Sequence, residues 1–326
     1  MHYFQQIINN NEENLKLLLT PKGEKSDELT QKVLFKKHVE IVNLELSYLC
    51  NRKCDYCPVR NSSRNQHQNF INIDSFHKII NELASIRYEN RISLNLYNEP
   101  LLDPSLYEKI AEIRKKLPWC LISFNSNGDK INKNVLQKLS NSGLNYINIT
   151  LHPPANTVQS TGKIVSRLKK IMERIDHADG MKYACGEFVE KNRFLETRIL
   201  GITIKIQWPN YSKEGTYRGG KVLLSTMSVC DRTAPCVKPF REFTIFSDGA
   251  VVPCCEVFHD RDNNDLVMGN VQEKTVFEIY SNAAMSIFRR HVFTFGPKKG
   301  VCRQCSVTDY SSETEQPERE RIISNL

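Results

Sequence analysis

No apolar run in this chain of 326 residues approaches the roughly 18 residues that a membrane span requires. The opening Met1-His2-Tyr3-Phe4-Gln5-Gln6 lacks the charged and apolar segments of a signal peptide. These absences argue against a helical membrane protein or a membrane partner and lead us to expect a cytoplasmic location. Repeats and low-complexity segments are also missing, which excludes repeat architectures. Nor is there a strong excess of one charge: 45 Lys and Arg against 37 Asp and Glu leave +8, spread along the chain. So diffuse a charge argues only weakly for an anionic partner, and nucleic acid is not expected.

What is present is an apolar content of 40% and eleven cysteines. The first suffices for a full α/β core with a smaller unit attached. The second, in a cytosolic chain, points to metal ligation or redox chemistry rather than to disulfides. Three cysteines fall within 50–57 and six within 230–305, with Cys120 and Cys185 alone.

Residues 1–39 read as a polar helical extension with an apolar stripe of Phe4, Ile7, Ile8, Leu15, Leu18 and Leu19, suited to capping the bottom of a barrel. From Glu40 strands alternate with helices. The runs 40–49, 92–96, 120–124, 146–151 and 202–208 are strand-like, while 74–86, 105–116, 133–142 and 162–175 are helical, with Asp74 as an expected N-cap. Residues 181–197 resist assignment. This alternation predicts a parallel sheet whose ligands gather at the carboxyl ends of the strands, where Cys50, Glu99, Ser126 and His152 all fall. Turn-rich sequence from Tyr211 places a boundary near 221, giving a core of 40–221, a second unit of 222–310 and a loosely attached charged tail of 311–326. Asp248-Gly249 predicts a hairpin in the second unit, followed by a helix over 276–290.

Cys50, Cys54 and Cys57 leave a tetrahedral metal or a cubane one ligand short, and no fourth cysteine or histidine lies nearby in sequence. Structural zinc usually has four protein ligands, whereas an iron-sulfur cluster on three thiolates keeps one iron open to a small molecule. The pattern Cys50-x3-Cys54-x-Tyr56-Cys57 resembles the signature of the radical S-adenosylmethionine (SAM) enzymes. Tyr97-Asn98-Glu99-Pro100 is similar to that family's Gly-Gly-Glu-Pro segment, though both glycines are replaced, and Asn125-Ser126-Asn127-Gly128 is similar to its Thr-Asn-Gly turn. The resemblance implies a partial (β/α)6 TIM-like barrel. It also implies a 4Fe-4S cluster on Cys50, Cys54 and Cys57 whose open iron binds SAM. Tyr56 would lie against the adenine, Asn98 and Glu99 near the amino group, and Ser126 and Asn127 near the ribose.

Cys236, Cys254, Cys302 and Cys305 resemble the SPASM/Twitch extension of the same family, with Gly269-Asn270-Val271 and the helix after it fitting that pattern. No cysteine lies beyond Cys305, so the resemblance implies the one-cluster Twitch form, an auxiliary 4Fe-4S cluster on those four thiols within a small β-hairpin and helix unit. Cys230 competes as a ligand, Cys255 should face away from Cys254, and a zinc ribbon is the other reading of the group. Cys120 is expected to pack in the barrel. Cys185 reads either as a buried thiol or as a donor of a hydrogen atom, and His152 as a neighbour of substrate or SAM or as a satisfied polar group. Arg198 and Arg218 are candidates for the SAM carboxylate.

The resemblance further implies cleavage of SAM to a 5'-deoxyadenosyl radical that abstracts a substrate hydrogen. The leading expectation is modification of a ribosomally made precursor peptide by crosslinking, epimerisation or backbone excision, with a leader-binding partner protein as an option. The alternative is a Twitch-type dehydrogenase of an amino-sugar or aminocyclitol-like small molecule, an oxidoreductase. Either needs a cellular reductant such as flavodoxin or ferredoxin.

Overall fold

Four short strands with helices between them form the centre of the protein: Ile41–Leu44 (β1), Arg91–Ser93 (β2), Leu121–Ser126 (β3) and Tyr146–Thr150 (β4). They pair in parallel, in chain order. The structure, a computed structural model, describes residues 12–21, 27–66, 69–153, 160–210, 217–222, 230–260, 266–307 and 313–326. The crossover helices are Ile73–Ser85 (α2), Leu106–Lys116 (α3) and Lys133–Ser142 (α4), with Thr161–Arg174 (α5) after β4. Their apolar faces, including Phe76, Ile79, Ile110, Leu136, Leu139 and Leu168, are buried. Residues paired across a parallel sheet share a face, and that face alternates along each strand. Val42, Ile92 and Ile122 therefore form one buried apolar row, while Asn43, Ser93 and Ser123 form the next row on the opposite side.

The segment that the pattern left unassigned contains a short helix, Gly186–Lys191 (α6), and the strand Phe194–Ile199 (β5). β5 turns back antiparallel onto Ile202–Gln207 (β6), which pairs in parallel with β4. Leu200 and Gly201 both have positive φ, 51° and 82°, as a two-residue hairpin turn demands. On the other flank Glu242–Ile245 (β7) pairs in parallel with β1 and then antiparallel with Ala250–Val252 (β8), which pairs with Gly269–Asn270 (β9). Gly249, at φ 87°, makes the expected hairpin turn. The result is one open sheet in the order β5-β6-β4-β3-β2-β1-β7-β8-β9, a partial barrel whose hairpin unit continues the core sheet.

Several local expectations change. Asn72, not Asp74, caps α2: its side chain accepts from the N–H groups of Asp74 and Ser75, leaving Asp74 in the first turn. After the short helix Lys238–Arg241 (α7), the helix expected over 276–290 is two, Val276–Tyr280 (α8) and Ala283–Phe293 (α9), because Asn282 caps a new start. The tail is anchored rather than loose over Gln316–Ser324 (α10): Arg319 and Ile322 are fully buried, Arg319 donates to the Phe293 carbonyl at 2.7 Å, and Arg321 pairs with Glu12. Phe4, Ile7 and Ile8 of the N-terminal stripe lie outside the described residues, as do 154–159 and 308–312.

The described part of the extension packs as expected. Leu15, Leu18 and Leu19 are buried, and Phe35 of Glu28–His38 (α1) meets Tyr88, Phe243, Phe277 and Tyr280 edge-on, with centroids 5.3 to 6.2 Å apart. Each such pair contributes about 0.5–1.5 kcal/mol beyond its burial. This cluster joins the core to the hairpin unit from below.

At the end of α1, His38 is buried, and desolvation, helped by Arg289 and Lys37, lowers its pKa to about 4. A base whose folded pKa is depressed favours folding above its unfolded value of about 6.5, and this contribution is lost as pH falls toward 4. We expect the stability lost between pH 7 and pH 5 to shrink by about 2 kcal/mol in His38→Gln. Urea unfolding at the two pH values checks it, and an unchanged difference rules it out.

Candidate active site

The carboxyl ends of β1 to β4 and β6 open into one cleft with about 1360 Å³ of atom-free space. Cys50, Cys54 and Cys57 line it together with Tyr56, Asn98, Glu99, Ser126, Asn127 and His152.

The loop that carries the three thiols is tied at several points. Tyr48 N–H donates to the Asn69 carbonyl at 2.8 Å, Cys57 N–H donates to that of Cys54 at 3.0 Å, and Glu99 N–H donates to that of Leu49 at 2.7 Å. Between the thiols, Arg52 grips Asp129 with two N–H groups, at 2.8 and 2.5 Å, and Asn51 donates to the same carboxylate at 2.9 Å. Asn127 Nδ2 in turn donates to Asn51 Oδ1 at 2.8 Å. The turn after β3 therefore holds the cysteine loop. That connection was invisible in the sequence, where Asn51, Arg52 and Asp129 are ordinary polar residues.

Burial pushes the Cys50 thiol up to about 12 and the Cys57 thiol up to about 11, and each is raised further by the charge of its neighbours. Converging thiols of this kind suit a cation that would take them as thiolates. Among the described residues no three His, Cys, Asp or Glu groups stand close enough to close around a single metal ion. A multi-iron cluster holds its ligands farther apart than one ion does.

Glu99 is buried, and both its oxygens are engaged: Oε1 accepts from Ser126 Oγ at 2.8 Å and Oε2 from Asn127 N–H at 2.7 Å. It thus fixes the β3 turn as well as facing the cleft. The Asn98 Oδ1 is spent within its own turn on Leu96 N–H, and among the described residues its buried Nδ2 has no partner at the cleft wall. Tyr56 stacks on His152 at 5.7 Å and 20°, with its hydroxyl 2.5 Å from Nδ1. Burial and the nearby Arg52 and Arg167 lower the His152 pKa to about 3, so the ring is neutral at pH 7.

The floor of the cleft is a field of amides and hydroxyls. Asn43, Ser93, Asn125, Asn148, Thr150 and Gln207 on the strands and Asn95 just beyond β2 line it, and among the described residues the Asn148 Oδ1 is buried without a partner. Arg218, at the end of the core segment, and Cys255 and Glu256 of the hairpin unit complete the lining. Arg218 pairs with Glu256 at 2.7 Å and donates to the Cys255 carbonyl at 3.2 Å, which also accepts from Tyr97 Oη at 3.0 Å. Arg218 takes a left-handed φ of 49°, followed by Gly219 and Gly220 at 62° and 87°, so the Arg-Gly-Gly turn aims the guanidinium inward. Arg198 instead lies exposed on edge strand β5.

The later cysteines separate by environment. Burial raises Cys236 to about 11 and Cys302 to about 12, and each of the two feels Cys305 as well as the other or its surroundings. Cys254 is buried, and after desolvation its thiol is raised by the charges of Cys255 and Cys236. Arg232 and Lys298 stand beside this group as compensating cations, which the cysteine spacing did not reveal. Cys255 does diverge from the buried Cys254, but toward the cleft, where Lys238 Nζ lies 3.2 Å from its sulfur. Cys230 is exposed, as is Cys185 at the start of α6, outside the cleft. A hydrogen-donating role for Cys185 therefore has no support from its position. Cys120 is buried as expected and donates to the Asn90 carbonyl.

Comparison with known proteins adds two family models. One described as the radical SAM superfamily matches residues 44–202, and one described as an iron-sulfur cluster-binding domain, SPASM, matches residues 236–306. A curated relative, the S-adenosyl-L-methionine-dependent 2-deoxy-scyllo-inosamine dehydrogenase of Niallia circulans, is 24% identical over 281 residues, covering 86% of this chain and 97% of the relative. The solved structure of BtrN in complex with AdoMet and 2-DOIA superposes with a TM-score of 0.60 at 20% identity, covering 86% of this chain and 97% of that one. BtrN in an open conformation gives 0.55 at 20% identity, with 85% and 97% coverage. Among the described residues no helix is long and apolar enough to cross a membrane.

Proposed function

Since the chain belongs to the radical SAM superfamily and carries a C-terminal SPASM domain, we propose that it is a dehydrogenase of a polyhydroxylated small molecule of the aminocyclitol or amino-sugar class. The observation that carries this reading is the cleft, lined by amides and hydroxyls together with the Arg218–Glu256 pair. Such a surface offers paired donors and acceptors to ring hydroxyls, and a carboxylate to an ammonium. The relative that spans both domains is a dehydrogenase of 2-deoxy-scyllo-inosamine by name. These features favour the small-molecule reading over a precursor peptide.

Cys50, Cys54 and Cys57 would hold the 4Fe-4S cluster and Cys236, Cys254, Cys302 and Cys305 the auxiliary one, with SAM against Tyr56, Asn98, Glu99, Ser126 and Asn127. When bound, these groups supply the 5'-deoxyadenosyl radical and an acceptor for a second electron. The protein must do the rest. Glu99, Asn127 and Arg52 keep the cysteine loop in place, and the neutral His152 fixes the Tyr56 ring. Taking one hydrogen atom from the carbon of a secondary alcohol leaves the proton on oxygen, and one electron, still to be taken away. Of the two cleft carboxylates, Glu99 is committed to the β3 turn, which leaves Glu256, ion-paired with Arg218 at 2.7 Å and with Lys238 at 3.6 Å, as the acceptor.

The test incubates the anaerobically reconstituted protein with reductant, SAM and either 2-deoxy-scyllo-inosamine or candidate precursor peptides. We expect 5'-deoxyadenosine and a ketone product in equal amounts from the aminocyclitol class. Peptide-dependent turnover with none from polyols would replace this reading. Glu256→Gln keeps the shape but cannot take a proton, so ketone formation should fall by about 10²–10⁴. Substrate binding should survive in the variant, and an unchanged rate would remove Glu256 from the role.

A further inference from the structure

Helix α5 carries its cations on one stripe. Lys163, Arg167, Lys170 and Arg174 recur at intervals of four, three and four, one face of a 3.6-residue period. Like charges at these spacings oppose the helix that bears them. Among the described residues none of the four is in an ion pair with a carboxylate. Arg167 donates instead to the His152 carbonyl, and Arg174 to those of Asp129 at 2.8 Å and Gly128 at 2.9 Å. A carbonyl fixes the direction of a guanidinium without cancelling its charge.

The stripe borders a second, outer hollow of about 840 Å³ of atom-free space, into which Arg167, Lys170 and Arg174 project. Its two carboxylates are Glu173 and Asp129, and Asp129 is already consumed by Arg52. Arg52 and Asn127 line both this hollow and the cleft, and Arg52 stands in the chain between Cys50 and Cys54. The positive face thus shares a wall, Arg52 and Asn127, with the cleft that the three thiols line.

We infer that this face, Lys163, Arg167, Lys170 and Arg174 beside Arg52, is the docking surface for an acidic electron-carrier protein. The inference rests on the radical SAM reading only in needing an external electron. One electron would leave the reduced carrier, oxidising it by one, and reduce by one the cluster that Cys50, Cys54 and Cys57 would hold beside Arg52. No bond forms and no proton moves. Charge complementarity sets encounter rate and orientation, and the shared wall gives the short path that electron transfer requires. A nucleic acid would match the charge but gains nothing from the adjoining cysteine loop.

The experiment uses reconstituted holoenzyme with a flavodoxin as the probe. It compares wild type, the double variant Lys163→Glu/Lys170→Glu and the conservative Lys163→Arg/Lys170→Arg. In the charge-reversal variant, flavodoxin affinity and flavodoxin-driven formation of 5'-deoxyadenosine should each fall about tenfold or more at low salt. The difference should narrow between about 50 and 200 mM salt. Dithionite-driven formation should be unchanged, and the Arg variant should match wild type in all three. Unchanged flavodoxin affinity overturns the proposal, as does an equal fall in both rates or a loss of affinity for an RNA oligonucleotide alone. If wild type makes no 5'-deoxyadenosine even with dithionite, the enzymatic reading fails, while the affinity comparison still decides the docking surface.

Discussion

Replacing Cys50, Cys54 and Cys57 together by Ala is expected to abolish SAM cleavage and to leave about half of the iron, the share of one cubane of two. All three thiols line the cleft, and their loop is fixed to the β3 turn through Arg52, Asp129 and Asn127, so removing the thiols need not release the loop. The later quartet lies on other elements: Cys236 N–H donates to the Val292 carbonyl at 2.8 Å, and Cys305 N–H donates to that of Cys302 at 3.3 Å. It should therefore keep its own cluster and a residual iron-sulfur absorbance. Iron and sulfide analysis beside a 5'-deoxyadenosine assay checks both halves. Retained cleavage would show that the radical centre lies elsewhere, and complete loss of iron would show that the two sets of thiols do not bind independently.

The largest loss of stability is expected from Glu45→Ala. Glu45, at 0% exposure, is ion-paired with Arg64, at 2%, and also accepts from Tyr97 N–H at 3.2 Å. Ser247 at the end of β7 approaches the same carboxylate. One side chain thus joins the end of β1, the segment before Glu99 and the hairpin unit. Arg64 lies over the Tyr48 ring at 3.9 Å, with Phe246 and Phe258 beyond it, so it cannot simply swing into water. Removing one partner of a buried pair costs about 3–5 kcal/mol because the other charge is stranded. Urea unfolding under anaerobic conditions should show that loss, with weaker iron retention as the cysteine loop loosens. Replacing both partners, Glu45→Leu with Arg64→Met, should recover much of the stability. A loss under about 1 kcal/mol for the single change would mean that the pair is not the anchor.

The sequence by itself determined the chemistry and the order of the elements. Thiol spacing within one loop is a local property, as are helix periodicity and the Asp248-Gly249 turn, so the three-cysteine motif, the βα alternation and the hairpin could be read without coordinates. The same is true of Glu99, Ser126 and Asn127, which strand ends deliver to a common rim. Only the tertiary structure decided which residues meet across large separations. It set Glu45 against Arg64, Arg52 against Asp129, and Arg218 against Glu256 in the amide-lined cleft. These are single charged residues with no pattern of their own, and their partners are fixed by strand order rather than by spacing. It also turned Cys255 toward the cleft and left Cys185 outside it, a choice between two plain cysteines that depends on what packs around each. The substrate reading changed for the same reason. The cysteines select the kind of reaction, whereas the polar floor that suits a polyol exists only once Asn43, Ser93, Asn125, Asn148 and Gln207 are brought together by the sheet.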